Sequence, residues 1–144
     1  MIAHRAPSHG FFSLLAILLV VSCKGDPARD EAANLVRLVS DLRDAPNHAK
    51  RDPLDRLTSM PCSFPDVCAA RDACIEAFRH HVRGMELGAS LYAALDGSIP
   101  DAVMHDSTNL GMRLLEMNVE VEEAKAQMPR CEESIASLRV AHRV

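Results

Sequence analysis

Residues 110–138 read LGMRLLEMNVEVEEAKAQMPRCEESIASL. Leu110, Met117, Ala124, Cys131 and Leu138 fall seven residues apart, and Leu114, Val121, Met128 and Ile135 fall seven apart between them. The two sets alternate steps of four and three, which keeps all of them on one side of an α-helix. Val103 extends the seam toward the N-terminus, while Ser107 and His142 weaken its ends. A seam of about five heptads has to be covered by other helices, so the pattern predicts a long antiparallel helical hairpin or a three-helix coiled bundle. Pro129 lies inside it and predicts a kink or an interruption near Met128, because proline lacks the N–H and crowds the preceding turn. Asn109 and Gly111 weaken the start of the helix.

The natural partner is the preceding stretch, CSFPDVCAARDACIEAFRHHVRGMELGASLYAALDG, residues 62–97. It reads as one helix from about Pro65 to Leu95, with Ser63 as a candidate cap and Asp96-Gly97 closing it. Heptad spacing puts Val67, Cys74, Phe78, Met85 and Tyr92 on one stripe facing the seam that carries Cys131. Ser98-Ile99-Pro100-Asp101 then resembles a capping box opening the final helix. Upstream, Asp26-Pro27 is an N-cap with proline in the first turn. Ala32, Leu35, Val36, Leu38, Val39 and Leu42 follow at helical spacing, and Pro46 ends that helix. Asp52-Pro53 repeats the start signal for a short helix carrying Leu54, Leu57 and Met60, stopped at Pro61.

Composition agrees. There is no Trp and one Tyr, whereas Ala, Leu, Val, Met and Glu dominate. Such a chain is rich in helix formers and poor in strand formers, so the fold class is all-α.

The first residues have their own logic. His4, Arg5 and His9 give a basic start, and the apolar run Phe11–Val21 is about a dozen residues. That is short of the roughly 20 residues a membrane span needs and fits a signal-peptide core. The run ends Val20-Val21-Ser22-Cys23, which resembles the lipobox of bacterial lipoprotein precursors. The resemblance covers the first 23 residues alone. It implies that residues 1–22 are a removed signal peptide and that residues 23–144 form a single helical domain with almost no linker. It also implies that Cys23 carries diacylglycerol on sulfur and an acylated N-terminus, with fatty chains such as palmitate. Two or three such chains hold a protein stably on a bilayer, where one is marginal. The implied location is the bacterial cell envelope. Lys24 rather than Asp after the cysteine favours the outer membrane by the enterobacterial rule.

Residues 23–144 keep all 20 acids and 15 of the 16 Lys and Arg, a formal charge of −5. An acidic surface with no Lys/Arg cluster argues against nucleic acid as a partner and against a direct grip on anionic lipid head groups. The lipobox resemblance implies that the membrane is reached through a lipid on Cys23 instead.

With Cys23 assigned to lipid, Cys62, Cys68, Cys74 and Cys131 remain, an even set in an oxidising compartment. Of three connectivities, the one that bonds Cys68 to Cys74 needs two residues about 9 Å apart along one helix, beyond bridging distance. The favoured pairing is Cys74–Cys131 with Cys62–Cys68. The rival, Cys68–Cys131 with Cys62–Cys74, gains from a tight turn near Ser98. Zinc is disfavoured because the Cys-x5-Cys-x5-Cys spacing lacks the short spacers of zinc knuckles.

Other constellations are weak. His80-His81 with Glu76 one turn before is read as a half-exposed pair, and a metal role would need Glu120 or His105 to be brought near. The methionines read as core filler more readily than as a copper site. Glu116, Glu120 and Glu123 read as a solvated face. Gly84-x3-Gly88 marks close approach of helices and is a candidate docking point for a partner helix. No Ser-His-Asp set, phosphate loop or catalytic thiol is present, so neither an enzyme nor a cofactor is expected. The expectation is a membrane-anchored, non-enzymatic envelope module that binds another envelope protein. The alternatives are a structural or surface spacer and a metal or small-ligand carrier.

Overall fold

The computed structural model describes residues 25–97 and 107–144. It contains four α-helices: α1 (Pro27–Asp44), α2 (Arg51–Ser59), α3 (Pro65–Leu95) and α4 (Ser107–His142). Among the described residues there is no strand, and the architecture is a helical bundle built on the long α3–α4 hairpin. The expected signal peptide, Cys23 and the capping box at Ser98 lie outside the described residues.

The start of α1 follows from its sequence. The Asp26 carboxylate accepts the Ala28 N–H at 3.0 Å, and Pro27 takes the first position, where no N–H is needed. Ala32, Leu35, Leu38, Val39 and Leu42 are buried on one face. Ala45, held extended before Pro46, ends the helix. The last turn is then closed from a distance. Lys50, only 6% exposed, donates its Nζ to the carbonyls of Leu42 and Arg43 at 2.9 and 2.8 Å. A cation there satisfies orphan carbonyls and lies at the negative end of the helix dipole. Burial lowers the Lys50 pKa from the ordinary lysine range, and the nearby Asp44 works in the opposite direction.

Three boundary expectations need correcting. Asp52 is not the cap of α2. A 3-10 turn at Asn47–Ala49 precedes that helix, which starts at Arg51 with the Leu54 N–H bonded to the Lys50 carbonyl. Pro53 is tolerated because it still falls in the first turn. Ser63 does not cap α3 either. The capping position is Phe64, and Glu31 of α1 accepts the N–H groups of Ser63 and Phe64 at 2.8 and 3.3 Å. The carboxylate sits at the positive end of α3 and ties α1 to it. Finally, α4 runs through Pro129 without interruption. Pro129 is exposed, so the carbonyl it leaves unserved can be hydrated. The C-terminus of α3 is closed as its sequence indicates, with Gly97 at φ 78°, a conformation that favours glycine.

Helix α4 lies antiparallel to α3. His142 Nε2 bonds Asp66 Oδ2 at 2.7 Å at one end, and Met117 Sδ faces Gly88 toward the other. The disulfides are Cys74–Cys131, with Cα atoms 4.5 Å apart, and Cys62–Cys68, at 5.4 Å. The first joins the two hairpin helices. The second folds the α2–α3 connection onto the first turn of α3.

The main core is one-sided. It takes Leu35 and Leu42 from α1, Leu54 and Leu57 from α2, Val67, Cys74 and Phe78 from α3, and Cys131, Ile135 and Leu138 from α4. On α3 it stops at Val82. Beyond that, α3 and α4 continue as a two-helix arm formed, among the described residues, by 84–95 of α3 and 107–123 of α4. Its foot is flanked by the 3-10 turn and by Arg51, whose guanidinium pairs with Glu86. We call the four-helix part the base.

Candidate docking surface

Within the arm the two helices approach closely where the sequence is smallest. A Cβ placed on Gly84 would lie 3.2 Å from Val121 Cγ2, and one on Gly88 would lie 3.4 Å from Met117 Sδ. The helix that docks on Gly84 and Gly88 is therefore α4 of the same chain. The stripe is used inside the hairpin, and the expectation that it marks a place for a partner helix is corrected. Leu87 and Leu91 are buried along this seam.

Polar pairs stitch one edge. Arg83 donates to Glu116 at 2.9 Å. His80 Nδ1 bonds Glu120 Oε2 at 2.7 Å, and His80 Nε2 bonds Glu76 Oε1 at 3.3 Å. Glu116 and Glu120 thus cross-link the helices, and the solvated-face reading of that acidic row is corrected for both. The hydrogen bond to Glu120 holds the His80 pKa above the ordinary histidine value, with Glu76 adding to it against partial burial. His81 behaves oppositely. It lines a cleft of about 320 Å³ with Met85, Val121, Ala124 and Met128, and burial and then the Lys50 charge push its pKa down. Its ring stands edge-on to Phe78 at 6.3 Å. The adjacent histidines therefore serve different surroundings. Among the described residues, no group of three or more His, Cys, Asp or Glu is placed to hold a metal ion. His105 lies outside the described residues.

The outer side of the arm is apolar. Tyr92 and Leu95 on α3 are each 71% exposed, and Met112, Leu115 and Val119 on α4 are 67%, 65% and 54% exposed. Tyr92, expected on the inward stripe, lies outside the core, and the seam position Leu114 is 43% exposed. The cause is simple: in a two-helix arm each helix has one covered side, and among the described residues no third helix reaches this level. Scattered apolar side chains are ordinary on a protein surface. Here, however, Met112, Leu115 and Val119 follow i, i+3, i+7 on the side of α4 opposite its seam, so this stretch of helix is apolar on both faces. Lower down, the same outer side carries exposed Glu122, Ala126, Glu133 and Ser137, with Val140, 81% exposed, beyond them.

The arm also points away from the start of the described chain. Glu31, one turn into α1, bonds the residues that open α3. Gly25 therefore lies at the end of the base remote from the arm tip. At 1.5 Å per residue, the 31 residues of α3 separate those ends by about 46 Å.

Among the described residues no helix is long and apolar enough to cross a membrane. No protein-family model, no curated protein and no solved structure matches the chain.

Proposed function

We propose that the chain is a non-enzymatic bacterial envelope lipoprotein, anchored through Cys23, whose helical hairpin binds another envelope protein. The observation that carries this reading is the apolar outer side of the arm, which no helix among the described residues covers. Contiguous exposed apolar surface of this kind marks interaction sites in folded proteins. The lipobox-like end of the signal stretch supports the anchor, and the two disulfides fit an oxidising compartment. With the anchor at the base, the arm would stand off the bilayer and offer its tip to a partner in the envelope space.

Two measurements test this. Intact mass of protein purified from membranes should show a chain beginning at Cys23, acylated, with four protons lost to two disulfides. Crosslinking in intact envelopes should capture one stoichiometric protein partner through the arm. An unprocessed 144-residue mass, or crosslinks only to lipid and solvent, would sink the proposal.

A further inference from the structure

The charges of the protein are segregated between its two ends. Among the described residues of the arm, 84–97 and 107–123, stand six Asp and Glu and one cation, Arg113, a formal charge of −5. Counting the bordering Arg51, Arg83 and Lys125, which pair with Glu86, Glu116 and Glu122, still leaves −2. The other described residues, 25–83 and 124–144, hold 13 Lys and Arg against 12 acids, a formal +1. The arm is thus at once the most acidic and the most apolar surface of the molecule.

Both properties meet on the outer side of α4. Met112, Leu115 and Val119 form the apolar stripe, with Glu116 and Glu123 along one flank and Glu122 along the other. Glu116 is held by Arg83 and Glu122 by Lys125, whereas Glu123 has no ion-pair partner among the described residues. An apolar row spaced for helix contacts and edged with carboxylates is complementary to a helix bearing Leu-type anchors between Lys or Arg residues. A second copy of this chain would bring two net-acidic surfaces together, and an anionic bilayer would repel the same carboxylates.

We infer that the outer side of α4 in the arm, centred on Leu115, is a docking site for a cationic amphipathic helix presented by a partner protein. This rests on the binding-module reading and adds to it the chemistry of the partner. Docking buries Met112, Leu115 and Val119 against the apolar face of the incoming helix, and its Lys and Arg residues engage Glu122 and Glu123. Charge speeds the encounter and orients the helix, and the apolar contact holds it.

The test uses the full mature protein in detergent and an 18-residue helical peptide with Leu along one face and Lys on both flanks. A second peptide carries Glu in place of every Lys. The Lys peptide should bind and protect arm residues in hydrogen exchange, and the Glu peptide should not. Leu115→Glu is the decisive variant, because it makes the arm more acidic while breaking the apolar stripe. Docking on the stripe predicts at least tenfold weaker binding, whereas adsorption by charge alone predicts tighter binding and would overturn the inference. Glu122→Lys with Glu123→Lys should also weaken binding, and so should raising salt from 50 to 500 mM. Leu115 is exposed, so an unchanged circular dichroism spectrum will establish that the variant folds. Equal binding of both peptides, or a Leu115-dependent homodimer in place of peptide binding, would overturn the inference. A native partner still crosslinked in the Leu115→Glu variant would remove this site and leave the binding-module reading intact. Peptide docking on a chain found unacylated would do the reverse.

Discussion

The base and the arm are made from the same two long helices, yet they solve different problems. In the base, α1 and α2 cover the hairpin, and the seam positions of α4 from Ala124 to Leu138 are buried apart from Met128. In the arm the same heptad pattern continues, but only one side of each helix is covered and the rest meets solvent. A periodic seam therefore specifies a contact between two helices and leaves open whether a third arrives. The two regions also separate stability from availability. The base is clamped by the Cys74–Cys131 bridge and carries most of the buried side chains, while the arm holds all of the exposed large apolar groups among the described residues except Val140.

Removing the clamp should divide the two regions most severely. Replacing Cys74 and Cys131 together by Ser should cost about 4 kcal/mol, from the entropy of a 57-residue closure, in a denaturant titration of the whole chain. Removing Cys62–Cys68, a closure of six residues, should cost about 2 kcal/mol. Graded reductant should open Cys62–Cys68 first, since those residues are partly exposed and Cys74 and Cys131 are fully buried. Equal losses from the two pairs would mean that the base does not depend on its central bridge.

Next come side chains of similar size placed in the two regions. Leu35→Ala, at a fully buried position in the base, should destabilise by roughly 2–5 kcal/mol through lost burial and a cavity. Leu115→Ala in the arm should change stability by less than about 0.5 kcal/mol. A large loss at Leu115 would mean that the stripe serves folding rather than docking. Glycine offers a smaller contrast. A Cβ added at Gly111 would meet nothing within 4 Å, so Gly111→Ala should stabilise by up to about 1 kcal/mol. Gly84→Ala gains the same helix propensity but presses on Val121, and it should fall clearly short of that gain.

Much of the base is legible in the sequence. The bounds of α1 and α3, the all-α class and the seam of α4 follow from Pro27, Pro46, Pro65, Gly97 and the heptads. What is not legible depends on residues far apart in the chain. Glu31 replaces Ser63 at the head of α3, and Lys50 closes α1 from eight residues beyond Leu42. Local capping rules see neither, because a side chain that caps another helix leaves no periodic trace. Tyr92 and Leu114 depart from their expected places for a related reason: spacing gives the face of a helix but not how far up the bundle its cover extends. The outward row Met112, Leu115, Val119 is readable as spacing, but it is masked by the stronger inward seam on the same helix.

The smallest expected effect concerns pH, and it probes the border between the two regions. The His80 pKa is raised in the folded state, so its pair with Glu120 adds stability in full below the ordinary histidine value of about 6.5 and loses it as pH rises through the raised value. His81, shifted down by burial, acts the other way and loses stability as pH falls. Nuclear magnetic resonance titration should therefore find the two neighbours on opposite sides of 6.5. Glu120→Gln should return His80 toward the ordinary value at a cost of under about 1 kcal/mol. Identical titration of both rings would contradict the cross-helix pair.

A self-sufficient base carrying an arm kept open for contact is tested most directly by native-state hydrogen exchange across α3 and α4. Amides of residues 67–82 and 130–138 should exchange only with global unfolding, while residues 87–95 and 110–119 open at clearly lower free energy. Protection of the free arm equal to that of the base would contradict this division of the molecule.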